Sequence, residues 1–357
     1  TNTENIGIGY RSGYALTGTL NTMLGYKSNL NGTSGDGNTI IGHQAVGAGV
    51  LTGNNNVVIG KLAGNDMTSA DQNVLIGEDA GANITTADAN VIIGQGAGET
   101  LTTGTYNIYI GVNAGNGHDA EGSNIGIGFD ALGGSIVAGG ENNVALGIYA
   151  LDALTAGDYN NAIGYQTLTN LTTGQHNVAM GRLAGDAVTD ETQSVYIGHG
   201  AGDDYTGSQA VMLGALTRNH SDGNDEANAI CIGYNVNTGR ANQVHLGNTS
   251  ITAIKGQVSF STYSDQRIKK DIVDTDLGLE FVNKLKPKKF KRKDPEEYAD
   301  LFGEANKTPI KDDEKENVFD GLIAQEVEAV CNELGVSFSG HEVSTSQGNK
   351  QSIQYET

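Results

Sequence analysis

Several residue types are scarce in this chain, and each scarcity excludes a class of protein. Among 357 residues there are two cysteines, Cys231 and Cys331, three prolines and no tryptophan. Two cysteines so far apart form neither a disulfide framework nor a zinc-binding spacing. Lys and Arg number 21 against 42 Asp and Glu, a net charge of −21. Binding to nucleic acid or to an anionic membrane needs a positive surface, so both are excluded as general functions.

Long apolar stretches and clustered metal ligands are scarce as well. No run approaches the roughly 20 apolar residues of a membrane-spanning helix, so we expect no membrane insertion. The seven histidines are scattered, with no pair at ligand spacing, so we expect no metal and no cofactor. The oxygen-rich segment 221–226 lacks the spacing of a calcium loop and is interpreted as a solvated loop.

Glycine and proline divide the chain into two parts. Residues 1–255 hold 45 of the 52 glycines, no proline, 7 basic and 22 acidic residues. Residues 256–357 hold all three prolines, 14 basic and 20 acidic residues. We therefore predict two domains, a glycine-rich one over 1–255 and a second one over 256–357.

The glycine-rich part contains an internal repeat. A glycine preceded by Ile, Leu or Met recurs fifteen times between Gly9 and Gly247, which makes fourteen intervals over 238 residues and a mean of 17. We call these the anchor glycines. Asn lies four positions before the anchor in eleven units, and Ala lies three positions after it in nine. A constant period of this length is typical of stacked repeat proteins.

Each unit predicts one short strand followed by turns. In the unit that begins at Asn56, alternation places Val57 and Ile59 on one face. Asn56 and Val58 then share the other face. The anchor glycine allows a turn with positive φ. Such units stack into a β-solenoid, here a shaft of about fifteen rungs and roughly 70 Å at about 4.8 Å per rung. The recurring Asn is expected to form a hydrogen-bonded ladder.

The apolar content of one rung is small. Each unit offers about three or four sizeable apolar side chains, and alternation places some of them on each face. So thin a coil is expected to bury too little by itself, and several chains around one axis would supply the missing partners. The expected fold class is mainly β: a trimeric β-solenoid or β-roll shaft followed by a small α+β domain. A wider monomeric coil is the alternative.

The repeat resembles those of bacteriophage tail fibres and, more distantly, the heads of trimeric autotransporter adhesins. The adhesin heads also use strands of the pattern Asn-x-x-x-Ile-Gly, but their units are usually shorter. This resemblance implies an elongated surface fibre and does not say whether a virus or a bacterial cell carries it.

Three motifs follow the last repeat in order. They are Ser-Asp-Gln-Arg-Ile-Lys at 264–269, Leu-Lys-Pro-Lys-Lys-Phe at 285–290 and Gly-Leu-Ile-Ala-Gln-Glu-Val at 321–327. This region resembles the self-cleaving intramolecular chaperone of phage tail fibres and tailspikes, the peptidase S74 type. The resemblance covers about residues 264–357. It implies a domain that trimerises, assists folding of the preceding fibre and then cuts itself off.

The resemblance also assigns roles to residues. It makes Ser264 the nucleophile, Lys269 the general base and Tyr263–Ser264 the broken bond. The chain would then be at most a single-turnover serine endopeptidase with no external substrate. A serine hydroxyl needs a base, and a lysine is one only where burial or a nearby cation lowers its pKa. Arg267 and Lys270 are candidates for that cation. Five residues of a helix turn through roughly 500°, so the serine and the lysine must meet across a bend.

Other patterns in the second part are interpreted structurally. Segment 284–293 holds seven Lys or Arg, but these alternate partly with apolar residues, which favours a half-exposed strand over a nucleic-acid contact. In 323–330, apolar residues at i, i+4 and i+7 predict an amphipathic helix. The family usually continues past the equivalent of 352–356 into a long C-terminal helix. We expect this piece, which stops at Thr357, to lack it.

The sequence as a whole predicts a viral tail fibre that acts in host attachment. It would be a homotrimer on the virion, extracellular when mature, with other tail or fibre proteins at its N-terminal side. Its receptor would be a bacterial surface glycan or protein, and Tyr106 and Tyr159 are binding candidates by chemistry alone. The alternative is a bacterial surface adhesin or injection-device fibre with the same chaperone. A glycan-degrading tailspike is disfavoured, because the rungs hold no paired carboxylates at a suitable spacing.

Overall fold

The chain divides into two units, Thr1–Asn248 and Thr249–Thr357. A computed structural model gives their architecture. It describes residues 4–134, 140–204, 207–219, 227–238, 241–252, 254, 277–291, 316, 318–338, 341–344 and 350–353. We call the first unit the shaft and the second the C-terminal unit.

One parallel sheet of 15 strands runs the length of the shaft. Each anchor glycine is preceded by one three-residue strand, which confirms the predicted repeat and the mainly β solenoid. The strands are β1 (Ile6–Ile8), β2 (Thr22–Leu24), β3 (Thr39–Ile41), β4 (Val57–Ile59), β5 (Val74–Ile76), β6 (Val91–Ile93), β7 (Ile108–Ile110), β8 (Ile125–Ile127), β9 (Val144–Leu146), β10 (Asn161–Ile163), β11 (Val178–Met180), β12 (Val195–Ile197), β13 (Val211–Leu213), β15 (Ile230–Ile232) and β17 (Val244–Leu246). A short parallel pair, β14 (Arg218–Asn219) with β16 (Asn237–Thr238), lies between the last of them.

The strands stack without any slip in register. Val57 pairs with Val74, Val58 with Leu75 and Ile59 with Ile76. The same offset of one repeat holds from strand to strand, so equivalent side chains form straight columns along the shaft. The middle residue of β2–β13 and β15 is buried while its two neighbours are not, as the alternation predicts.

The anchor glycines allow the rungs to approach closely. Gly94 has φ +144°, and a Cβ there would lie 2.1 Å from the carbonyl oxygen of Gly111, the anchor of the next rung. No side chain fits such a gap, and L residues rarely adopt such a φ. The predicted role of the anchor in a turn with positive φ is therefore confirmed, and close stacking is the stronger constraint.

A second constrained backbone position precedes the recurring Asn. The residue there is in the left-handed region in rung after rung, with φ 61° at Gln72, 62° at Tyr106 and 57° at Tyr159. Only five of the fifteen residues at this position are Asn or Gly, so the sequence signal for a left-handed corner was weak. The tight corner costs each rung some backbone strain, which the surrounding hydrogen bonds offset.

The recurring Asn forms the predicted ladder, entirely inside the shaft. Asn90 donates from its backbone N–H and from Nδ2 to Oδ1 of Asn73, both at 3.0 Å, and also from Nδ2 to the Gly104 carbonyl at 3.0 Å. Its own Oδ1 accepts the backbone N–H of Asn107 at 2.8 Å. Every polar group of the side chain is thereby satisfied without water.

A single chain closes its own interior, which corrects the expectation that one coil buries too little. The middle strand residues Val58, Leu75 and Ile92 are fully buried, as are Met67 and Leu101 on the opposite wall. The reason is that the segment after the anchor folds back across the sheet and contributes small and aliphatic side chains to the interior, such as Ala63 with Met67 and Ala97 with Leu101. The first and third residues of the strands stay outside this interior, on the outer face of the sheet.

The C-terminal unit is small and mixed. Its described elements are α1 (Leu279–Lys284), β18 (Lys288–Phe290), β19 (Phe319–Gly321), α2 (Ala324–Leu334), β20 (His341–Ser344) and β21 (Lys350–Ile353). The strands form two antiparallel pairs, β18 with β19 and β20 with β21. Val327 and Cys331 of α2 are buried against Phe281 of α1, which confirms the predicted amphipathic helix. Among the described helices, none is long and apolar enough to span a membrane.

Candidate functional site

The predicted cleavage residues lie outside the part of the chain that the structure describes. This applies to Tyr263, Ser264 and Lys269, and also to Arg267 and Lys270. Their roles stay predictions from the sequence. The loop 221–226 also lies outside the described residues.

The outward face of the 15-stranded sheet carries no charge. It consists of the first and third residue of each strand, and we call it the apolar face. Of its 30 side chains, 27 are Val, Ile, Leu or Met, and the other three are Thr22, Thr39 and Asn161. These side chains stay partly open to solvent in a single chain, with Ile127 38% exposed and Met180 46% exposed. Soluble monomers seldom expose a contiguous apolar patch of this length.

The wall opposite the apolar face is polar and acidic. Positions five and six residues after the anchors include the half-buried Asp66, Asp152, Asp186 and Asp203. Burial raises the pKa of Asp186, and the neighbouring carboxylate of Asp203 raises it further. Stacking thus brings carboxylates of successive rungs together, although their spacing in the sequence gave no pair.

Exposed rings line other edges of the shaft. Tyr106 is 69% exposed and Tyr159 is 52% exposed, so both candidate receptor-binding rings are at the surface. Tyr159 stacks on His176 of the next rung with centroids 5.0 Å apart and planes within 2°. Tyr10 and Tyr26 stack similarly at 5.4 Å. Equivalent positions on adjacent rungs produce these stacks.

A polar pair interrupts the interior halfway along the shaft. Tyr109 and His118 are fully buried, and the tyrosine hydroxyl lies 2.8 Å from Nδ1 of His118. Nδ2 of Asn124, a donor, lies 3.4 Å from the same nitrogen. Nδ1 is therefore the acceptor and Nε2 carries the proton. Nε2 is buried and has no hydrogen-bond partner among the described residues. Burial lowers the pKa of His118 to about 3.

Sequence reasoning missed this pair, although two signals mark it. His118 occupies the position seven residues after an anchor, where the other rungs place residues such as Ile84 and Leu101. Gly126 takes the place of the buried strand residue in the next rung, and a Cβ there would lie 3.2 Å from the ring of Tyr109. The glycine therefore makes room for the larger ring.

In the C-terminal unit, an open cleft of about 550 Å³ lies between α1, β18 and α2. Lysines of the segment 284–293 line this cleft and pair with acids of α2: Lys284 with Glu333 at 2.5 Å and Lys288 with Glu326 at 3.3 Å. β18 is partly exposed, as predicted for a half-exposed strand. These ion pairs place acids of α2 beside two of the seven basic residues of the segment 284–293.

The described residues hold no group of three or more His, Cys, Asp or Glu that could bind a metal ion. The features that remain are surfaces: the apolar face, the exposed rings and the small mixed unit. Together with the fold, they define a class of protein, a repeat-built β-solenoid followed by a small α+β domain.

Comparison with known families assigns the second part of this architecture. Residues 264–336 match the profile of peptidase S74, described as the chaperone of endosialidase. The match covers about a fifth of the 357 residues. No curated protein matches the chain. The chain therefore combines a β-solenoid of 17-residue repeats with a C-terminal chaperone-of-endosialidase domain.

Proposed function

We propose that this protein is a homotrimeric fibre that a virus uses to attach to a bacterial surface, and that its C-terminal domain is a folding chaperone that removes itself. The single observation that carries the proposal is the chaperone match over 264–336, directly after a long solenoid. A chaperone for a repetitive shaft is physically reasonable. Equivalent rungs offer many wrong registers that differ little in energy, and a linked domain that sets the starting alignment removes them.

The match begins at Ser264, the residue proposed as the nucleophile, and this supports a cut at Tyr263–Ser264. The Ser264 hydroxyl oxygen attacks the carbonyl carbon of Tyr263 while Lys269 takes the hydroxyl proton. The lysine then gives a proton to the leaving amide nitrogen, and an ester joins Tyr263 to the serine side chain. Water hydrolyses that ester, which leaves a carboxylate on Tyr263 and a free amine on Ser264.

The neutral form of Lys269 is the proposed link between cutting and assembly. A lysine in water is protonated at neutral pH, and removal from water lowers its pKa. A site that becomes buried only when identical chains have come together would therefore stay inactive in the single chain. The released shaft would be the attachment fibre on the virion, and Tyr106 and Tyr159 would be available to a surface glycan or protein through their exposed faces.

Substitution of the two proposed catalytic residues tests the cleavage. We expect Ser264→Ala and Lys269→Ala each to leave a full-length chain on a denaturing gel, because the first removes the nucleophile and the second the base. Wild-type protein should give two fragments, and the amine terminus of the smaller should be Ser264.

Two matched controls separate chemistry from folding. Ser261→Ala removes a serine hydroxyl three residues before the proposed nucleophile. Lys289→Ala removes a lysine amine from a strongly exposed position. Both variants should be cut like wild type. Continued cutting at Tyr263–Ser264 in the Ser264→Ala protein would overturn the assignment.

A further inference from the structure

We infer that the apolar face is the contact surface between copies of this chain, packed side by side and rung against rung. The proposed function supplies the number of copies, three. The inference adds which surface they share, and that surface follows from the shaft alone.

Charge is the first argument for this surface. The apolar face contains none of the 42 acidic or 21 basic residues, although the chain carries a net charge of −21. The opposite wall carries Asp66, Asp152, Asp186 and Asp203. Two copies that approach through that wall meet like charges. Copies that approach through the apolar face bring no charge out of water.

Area is the second argument. The face has 30 side chains, and at roughly 50 Å² of accessible surface each it offers on the order of 1,500 Å², against about 800 Å² per partner in a standard interface. Because this area exceeds that of a standard interface, side chains at the two ends of the face can stay in contact with water while the rest is buried. A surface of this size and composition is large enough for a permanent contact.

Periodicity identifies the partner as the same chain. The outward residues form straight columns because the strands pair in register, as at Val144 with Asn161 and Leu146 with Ile163. A second copy repeats with the same spacing, so its side chains meet the grooves between rungs along the whole face. An unrelated globular protein would match at a few rungs only.

Two lysines on the face should abolish the contact. Ile127 and Met180 lie on separate rungs and are 38% and 46% exposed in the single chain, so Ile127→Lys with Met180→Lys leaves the interior unchanged. Assembly would bury both charges against equally charged copies. We expect the full-length double variant to need a concentration at least about 100-fold higher than wild type for half-assembly.

The matched control carries the same charge at exposed apolar positions away from the face. Val50 and Tyr14 are 49% and 72% exposed and lie outside the strands. Val50→Lys with Tyr14→Lys should assemble like wild type. Molar mass by light scattering over a concentration series reports assembly, and circular dichroism with urea unfolding reports folding of each variant.

The outcomes are distinct. A wild-type mass of three chains, a folded but dissociated face variant and an assembled control support the inference. A face variant that assembles like wild type, a control that dissociates equally, or a monomeric wild type overturns it. A two-chain mass that the face variant dissociates would support the face and overturn the count of three. Cleavage of Ser264→Ala is a separate result, so the surface and the proposed function can fail independently.

Discussion

At the scale of single residues, the buried histidine is the most informative feature of the shaft. His118 is neutral in the folded chain because burial lowers its pKa to about 3, whereas the unfolded chain has the ordinary value near 6.5. Below about pH 6.5 the unfolded state therefore binds a proton that the folded state does not. Folding stability from this residue is fully present above pH 6.5 and is lost as the pH falls toward 3.

Replacing the pair with apolar residues should remove this acid sensitivity. Tyr109→Phe with His118→Leu deletes both polar groups, and Leu is the residue that the preceding rung has at the position of His118, as Leu101. A proton that the unfolded state binds and the folded state does not changes the free energy of unfolding by about 1.4 kcal/mol per pH unit. Between pH 6.5 and pH 5, the free energy of unfolding should therefore fall by about 2 kcal/mol more in wild type than in the double variant. Urea unfolding at the two pH values measures the difference.

His43→Gln is the control for that experiment, because His43 is exposed and its loss should leave the acid sensitivity intact. Equal pH dependence in wild type and the Tyr109→Phe, His118→Leu protein would show that the buried histidine does not set acid stability.

Single residues also mark the limit of prediction from the sequence. The anchor glycines could be predicted because no other residue fits their φ and their close contacts. The corner residues, such as Gln72, could not, because hydrogen bonds between rungs impose the left-handed conformation on varied side chains. The pairing of Asp186 with Asp203 was missed for a similar reason: a separation of 17 positions brings residues together only once the rungs are stacked.

At the scale of the element, the Asn ladder holds one rung to the next. Loss of the Asn90 side chain would leave the backbone N–H of Asn107, Oδ1 of Asn73 and the carbonyl of Gly104 with fewer partners inside the shaft. Each buried group left unpaired costs about 1–3 kcal/mol. The ladder is therefore a larger contributor than the single hydrogen bonds at the surface.

We expect Asn90→Ala to lower the free energy of unfolding by about 3 kcal/mol, on the basis of these unpaired groups. Asn83→Ala is the control, since Asn83 is exposed and belongs to the same stretch of the shaft; it should change stability by less than about 0.5 kcal/mol. Urea unfolding measures both. A loss at Asn90 no larger than that at Asn83 would contradict a stabilising ladder.

Strands and ladder were predictable because both depend on local alternation and on one recurring polar residue. The closed interior was not, because it depends on how the segment after each anchor folds back over the sheet. Counting apolar residues along one rung underestimated burial, since Ala63 and Met67 lie across from the strand and complete the interior.

At the scale of the whole molecule, charge governs how copies meet. Copies that each carry a charge of −21 repel one another, and salt screens that repulsion, with a Debye length that falls from about 30 Å at 0.01 M to about 8 Å at 0.15 M. The apolar face contributes no ion pairs that salt would weaken. Association through it should therefore strengthen as salt is added.

We expect the concentration for half-assembly to fall about tenfold when NaCl is raised from about 10 mM to about 300 mM, because screening acts on the acidic walls alone. Light scattering over a dilution series at each salt concentration measures it. Assembly that weakens with salt would point to ion pairs in the contact and would contradict an uncharged interface.

The direction of the hydrogen bonds in the shaft has a mechanical consequence. They run along the axis from one strand to the next, as from β4 to β5, and each coil touches only its neighbours. Tension between the two ends therefore loads the coils in series, and a coil that yields releases about 17 residues of slack, or roughly 55 Å of extended chain. The shaft would lengthen in steps under force and absorb a sudden pull instead of breaking.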